Sequence, residues 1–396
     1  MTATDETTLA EEFVDPEAQE FDDPSVGLSL QTKKFALQHL LDKAASVVPS
    51  KDILPVLKNF QVEAKGGSVR VTATDLELSV VATSEMVTVT KEGSAVFPAK
   101  RLMEIVKEAE DGDLIITVKD GEAKVEVGRT HWTLKLMSGD DYPELPEIDK
   151  IEFHEIDRAK FVGWIRCVRY AAATETVRPS LMVIDIAGGQ MRATDGVRFQ
   201  QVTVGKEIPI DISIPINAVD DLVKILSTTE APKVELGQDD ESLFFKVGGD
   251  VFIAQKLNAV FPDLDEQLLK PALANDQILN VDRGDLVKAI KRVRITADPE
   301  TNAVILALST NKMNVKSKDK YGSTCEEELD VKWGGKDREI AFNHTHLLQM
   351  LGMTDLSSCE FRLGEDTKTR PSPLLLRDDA AGQVGMLNQL RVDWIN

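Results

Sequence analysis

Cysteine is scarce in this chain. Three in 396 residues (Cys167, Cys325 and Cys359) stand far apart with no CxxC pair. That excludes a disulfide framework and a zinc ribbon, and points to the reduced thiols of a cytoplasmic protein. No apolar run approaches the roughly 20 residues that a membrane-spanning helix needs. Met1 is followed by acids and not by a basic and then apolar stretch, so no secretory leader is expected. Histidine is also sparse, and only His344 and His346 are close, two apart at an expected helix start where their side chains diverge. No metal or other cofactor is expected. Gly334-Gly335-Lys336 lacks the GxxxxGKS/T spacing of a phosphate loop. With no catalytic constellation left standing, the chain does not read as an enzyme.

Positive charge is in deficit. Lys and Arg number 46 against 67 Asp and Glu, a net charge of −21. That argues against a protein that coats nucleic acid with its whole surface, and leaves room for one restricted basic face. The first 27 residues hold nine acids and no Lys or Arg. Lacking a periodic apolar pattern, they read as a disordered acidic arm whose simplest role is to keep the chain in solution. The remainder, in a chain 42% hydrophobic and 29% charged, is long enough for two to four globular domains.

Against this acidic background one stretch stands out. In Asp282 to Ala297, the apolar residues Leu286, Ala289, Ile290, Val293 and Ala297 fall on one helical face. Five cations (Arg283, Lys288, Lys291, Arg292, Arg294) outnumber two acids there. The apolar pattern returns 125 residues earlier as Phe161, Trp164, Ile165, Val168 and Ala172, with Arg158, Lys160, Arg166 and Arg169 beside it. It returns again 124 residues before that, as Leu37, Leu40, Leu41, Ala44 and Val48, in a helix expected over residues 31–48 with Lys33, Lys34 and Lys43. An Asp-bearing turn (Ala73-Thr74-Asp75, Ala193-Thr194-Asp195, Ser317-Lys318-Asp319) and a second helix start recur with the basic helix, at spacings of 117 to 128 residues. Each Asp of that turn reads as a local backbone-bonding residue. Internal period settles the organisation before any local motif does. After the arm at 1–27 come three tandem domains, 28–147, 148–273 and 274–396. The class is α+β, with two helices packed on antiparallel sheets in each copy.

Tandem copies joined by short linkers form an arc whose like elements face the same way. Basic helices on its inner side would suit a duplex phosphate backbone, held without reading bases. Two arcs meeting head to tail would close into a ring. Two other classes fit parts of the pattern: a non-enclosing three-domain scaffold for protein partners, and a nucleic-acid enzyme that holds Mg²⁺ on clustered Asp.

Several segments carry a more specific resemblance. LPVL in the first copy, FPAKRL at its second helix, RPSL and ATDGVRF in the second copy, FPD at the second junction and the closing QLRV resemble the bacterial sliding clamp, the beta subunit of DNA polymerase III. The resemblance covers Leu28 to Val392. It implies a homodimeric ring that encircles duplex DNA without sequence specificity. Such a ring tethers the replicative polymerase and other replication and repair factors, and is placed by a clamp loader at the nucleoid. It implies DNA contacts at Lys51, Arg101 and Arg178, to which the basic helices add Arg166, Arg169, Lys288, Lys291 and Arg292. A dimer interface is implied at Trp132, Leu134 and Ile295, with Thr296 where the family often has an apolar residue.

The resemblance further implies a partner-peptide groove at Leu181, Thr194, Gly196, Arg198, Phe199 and Pro262, with Leu390 and Arg391 from the closing strand. Its usual guest is a Gln-Leu-x-Leu-Phe-like segment. The chain departs from the family at this groove. Val197 replaces a histidine, Asp265 and Glu266 replace a basic pair, and Asn388-Gln389-Leu390 stands where Met-Pro-Met is usual. A negative rim and two added amides are therefore expected, as in a specialised, phage-type version.

Overall fold

In the computed structural model the described residues are 26–49, 54–175, 178–366 and 371–391. Residues 1–25 of the expected acidic arm and Lys51 lie outside them, whereas Val26 and Gly27, counted with the arm in the sequence, open the first strand, Val26–Lys33. Seven α-helices occur among the described residues: α1 Lys34–Ala44, α2 Ala99–Glu108, α3 Arg158–Arg169, α4 Ile216–Thr228, α5 Lys270–Leu273, α6 Arg283–Val293 and α7 His344–Gly352. None is long and apolar enough to cross a membrane. The chain forms two compact units. Of the described residues, one holds those up to Ile148 together with Gly249–Ile253; the other holds those of 149–248 and 254–391.

In the first unit, five antiparallel strands run in the spatial order Val87–Lys91, Val26–Lys33, Asp113–Lys119, Glu122–Val127, Thr130–Lys135. A second set pairs Leu78–Ser84, Ser68–Thr74, Asn59–Lys65 and Gly93–Pro98. Helix α1 buries Leu37, Leu40, Leu41 and Ala44, the face its apolar spacing marks. The helix is shorter than residues 31–48, however. Gln31, Thr32 and Lys33 belong to the strand Val26–Lys33, whose ladder to Asp113–Lys119 takes their backbone groups before a helix can. The Gly249–Ile253 segment is pinned to this unit by Asp250, which is 4% exposed. Its carboxylate accepts Lys43 Nζ at 2.6 Å and the Thr83 amide at 2.9 Å.

The second unit contains two of the three helix pairs, α3 with α4 and α6 with α7. A nine-stranded antiparallel sheet runs through it, joined at its middle where Arg198–Thr203 pairs Gln383–Leu387. A four-stranded sheet, Thr324–Asp330, Lys312–Lys318, Ala303–Ser309 and Arg338–Asn343, lies beyond it. Leu286, Ala289, Ile290 and Val293 of α6 sit in the core with Trp333, Phe342 and Phe361.

The recurring turns behave as their chemistry requires. Asp75 accepts the Glu77 and Leu78 amides at 3.0 and 2.7 Å, and Asp195 accepts those of Val197 and Arg198 at 2.8 and 2.7 Å. Asp319 does the same for Tyr321 and Ser323, at 2.9 and 2.8 Å. Helix starts are capped by Asp157, Asp282 and Asn343, whose side chains accept amides of the first turn. Cys167 and Cys359 are buried, and desolvation pushes each thiol up to about 11, so both are protonated and inert at neutral pH.

Candidate nucleic-acid face and partner cleft

The first cation of each basic helix has a structural task. Lys34 Nζ donates to the Ala109 carbonyl at 2.6 Å, just past the end of α2. Arg158 donates to Leu226 O and Ala231 O, both at 2.6 Å, at and beyond the end of α4. Arg283 donates to Leu351 O at 3.1 Å in the last turn of α7. The last carbonyls of a helix have no intrahelical partner and carry its negative dipole end, so a cation there satisfies both needs. The same contact in three copies explains part of the positive charge without invoking a ligand.

The other cations divide into those clamped by a carboxylate from another element and those that stand exposed. Arg169 makes a two-pronged ion pair with Asp220 of α4, at 3.0 and 2.8 Å, which holds that carboxyl below its ordinary value. Arg292 grips both oxygens of Glu327 in the strand Thr324–Asp330; the pairing raises the guanidinium and lowers the carboxyl. Lys160 is held by Glu207. Arg101, Arg166, Lys288 and Lys291 are exposed. Among the described residues Arg166 bonds the Ser227 hydroxyl at 3.0 Å, and Lys288 lies 3.6 Å from Asp285. The exposed cations on α2, α3 and α6 are thus fewer than the sequence tally, because Asp220 and Glu327, remote in sequence, neutralise two of them.

Arg178 is not on a helix face. It lines a cleft of about 290 Å³ in the second unit together with Leu181, Thr194, Gly196, Arg198, Phe199 and Pro262. Six residues expected at a groove therefore do converge. The turn that builds its floor needs glycine at one place: Gly196 has φ +87°. Arg198 is fixed by Asp195 Oδ2 at 2.8 Å and Gln349 Oε1 at 2.7 Å, with the Tyr170 ring beneath its guanidinium. Nearby, burial and the Arg198 charge push His346 down, keeping it neutral.

Leu264, Leu268 and Met386 complete the apolar lining. Sequence reasoning missed them, although the spacing of Leu264 and Leu268 around the short helical turn at Asp265–Leu269 was a usable signal. Leu390 does not line the cleft. Its amide bonds Ala341 O at 2.8 Å and its side chain packs on Ala303, Ile305 and Ala341, because the backbone has already left the cleft at Asn388. Arg391 is exposed beyond it. The negative rim does not materialise either. Asp265 lies 3.5 Å from Arg192, and Glu266 pairs with Lys270 one helical turn on. Nor are the amides orphaned: Asn388 Nδ2 donates to Gly196 O at 3.0 Å, and Gln389 donates to Ser372 O at 2.7 Å.

Of the expected interface residues, Trp132 and Leu134 sit on an open sheet edge and Ile295 in the turn Arg294–Thr296 beside another. Thr130–Lys135 is the last strand of its sheet; Trp132 on it is half-buried and Leu134 buried. Thr324–Asp330 is the last strand of the four-stranded sheet and carries Glu326, Glu327, Glu328 and Asp330. Beside it Ile295 is 81% exposed. Thr296 is accommodated by Ser317 Oγ at 2.7 Å.

Comparison with known proteins gives a consistent result. Residues 28–146 match the family described as DNA polymerase III beta subunit, N-terminal domain, and residues 271–387 its C-terminal domain. The beta sliding clamp of Pseudomonas aeruginosa is 27% identical over 359 residues, 88% of this chain and 96% of that protein. That of Escherichia coli K12 is 26% identical over 365 residues, 88% and 97% of the two chains. Among solved structures, the Caulobacter crescentus beta sliding clamp superposes with a TM-score of 0.84 at 25% identity, over 92% of this chain and all of that one. The clamp of Bartonella birtlesii, solved bound to griselimycin, gives 0.82 at 26% with the same coverage.

Proposed function

Because this chain belongs to the bacterial beta sliding clamps, the beta subunits of DNA polymerase III, with their three-domain α+β fold, we propose that it is a processivity factor that encircles duplex DNA and tethers a replicative polymerase. The observation that carries this reading is the set of exposed cations on α2, α3 and α6 in a chain of net charge −21. Phosphate is the ligand such a set suits, since none of these side chains is organised to read a base edge. The alternative, a three-unit scaffold that never encloses DNA, is not favoured by these relatives. We place the three repeats at 28–147, 148–273 and 274–396, supported by the threefold capping contact of Lys34, Arg158 and Arg283.

The two open edges supply a route to a homodimer. Thr130–Lys135 brings Trp132, His131 and Lys135; Thr324–Asp330 brings four acids, with the exposed Ile295 beside it. An unprotected edge strand seeks a partner. Head-to-tail pairing between copies uses each edge once and closes by two-fold symmetry. The cleft around Phe199 would take the apolar peptide of a polymerase, loader or repair protein. No part of this role requires catalysis, and it belongs in the cytoplasm at the nucleoid.

The test is processivity. Arg166→Glu, Lys288→Glu and Lys291→Glu together lie off the buried helix faces and should leave thermal unfolding unchanged. They should shorten the products of the cognate polymerase on a primed template at least tenfold. Full-length products from a folded triple variant would contradict the reading.

A further inference from the structure

The cleft around Phe199 is walled on one side by Pro262, Leu264 and Leu268. Among the described residues, no backbone hydrogen bond ties 260–263, where that wall begins, to a strand. Side chains must therefore set its path. Val260 is 90% exposed, whereas the next side chain, Phe261, is buried. Arg192 lies over the Phe261 ring, its Cζ 5.3 Å from the centroid.

Arg192 is itself fixed. Ser213, Asp185 and Arg192 are cross-strand neighbours in Ile212–Pro215, Val183–Ala187 and Gln190–Thr194. Arg192 Nε donates to Asp185 Oδ2 at 2.9 Å, and Ser213 Oγ donates to Asp185 Oδ1 at 2.9 Å. The Arg192 and Asp185 side chains are 14% and 9% exposed, so salt and solvent screen this pair little. Asp265, half-exposed and 3.5 Å from Arg192, adds less. Arg192 and Thr194 are two apart on one strand, so both side chains leave the same face of the sheet. Thr194 opens on the cleft, while Arg192 reaches the segment that closes its side.

We propose that Arg192 is a positioning residue for partner binding. Held by Asp185, it fixes Phe261 and through it the course of Pro262 and Leu264, against which a guest packs. The Leu264 carbonyl accepts the Leu268 and Leu269 amides, both at 3.0 Å, so the same anchor sets the start of the turn that carries Leu268. Leu269 and Ala272, packed with Phe199, Leu375 and Met386, hold the far end. A wall already in place spares the guest the entropy of ordering it. A wall that wanders lowers affinity even with every lining residue present. The role in partner binding rests on the proposed function of the cleft; the anchoring of the wall does not.

The test compares the unsubstituted chain with Arg192→Met, Arg192→Lys, Phe261→Leu, the Arg192→Met/Phe261→Leu double variant and Phe199→Ala. Each is titrated with a labelled synthetic peptide carrying Gln-Leu-Ser-Leu-Phe, and hydrogen exchange is followed at Leu268 and Leu269. Arg192→Met strands the buried Asp185 carboxylate, which costs the sheet stability. Phe261→Leu keeps that ion pair and removes only the ring. Both single variants should weaken the peptide at least fivefold and speed exchange at Leu268 and Leu269. In Phe261→Leu the amides of Val183–Ala187 should exchange as before. Arg192→Lys, which keeps a cation for both partners, should recover most of the affinity. The double variant should bind no more weakly than Arg192→Met alone, because the two residues act as one contact. Phe199→Ala judges the cleft itself. Peptide that binds this variant as well as the unsubstituted chain, or binds neither, removes the partner reading, and exchange then decides the anchor alone. Unaltered exchange in Arg192→Met and Phe261→Leu, affinities within twofold of the unsubstituted chain, or losses that add in the double variant overturn the proposal.

Discussion

Lys34, Arg158 and Arg283 stand 124 and 125 residues apart, and each reaches from the start of one helix to the last carbonyls of its companion. Their burial is partial, and the Arg158 bonds are short, so the contact contributes to stability more than a surface ion pair does. Hydrogen bonds to a charged group are worth about 1.5–3 kcal/mol. Arg158→Ala should therefore destabilise the chain by about that amount in chemical denaturation, and Arg158→Lys should recover part of it. Unchanged unfolding of the alanine variant would show that α4 needs no cation at its end. The remaining cations illustrate the same point from the other side. Arg169 and Arg292 look equivalent to Arg166 and Lys291 in the sequence, but Asp220 and Glu327 reach them from 51 and 35 residues away.

Among the elements, those governed by short-range chemistry were legible. The apolar spacing of α1, α3 and α6 and the Asp turns all follow from residues within one or two turns of each other. The strand Val26–Lys33 was not, because its alternation is brief and merges into the helical pattern of α1; only the ladder to Asp113–Lys119 decides it. The cleft was half legible. The turn at Thr194–Phe199 announces itself, but the wall made by Leu264, Leu268 and Met386 comes from segments that meet only after folding. The charge of its rim was misread, since Arg192 and Lys270 balance Asp265 and Glu266. An apolar clamp-type peptide should therefore lose at least tenfold in affinity, about 1.4 kcal/mol, on Phe199→Ala or Leu268→Ala. Asp265→Asn with Glu266→Gln should change it less than about threefold. Calorimetry decides: a large gain from neutralising the two acids would restore the negative rim that the sequence suggests.

At the scale of the whole molecule, enclosure and contact make different demands. Binding through phosphate contacts alone weakens steeply with salt, because each neutralised phosphate releases counterions. A closed ring of two chains, joined through the edges Thr130–Lys135 and Thr324–Asp330, would hold DNA by topology and owe little to the few exposed cations. The direct measurement uses protein placed by its cognate loader on nicked circular DNA, washed at high salt, then linearised with one cut. The proposed ring stays bound to the circle through the wash and leaves when the circle is opened. Protein that remains after the cut, or that the salt wash strips from circle and linear DNA alike, would contradict it.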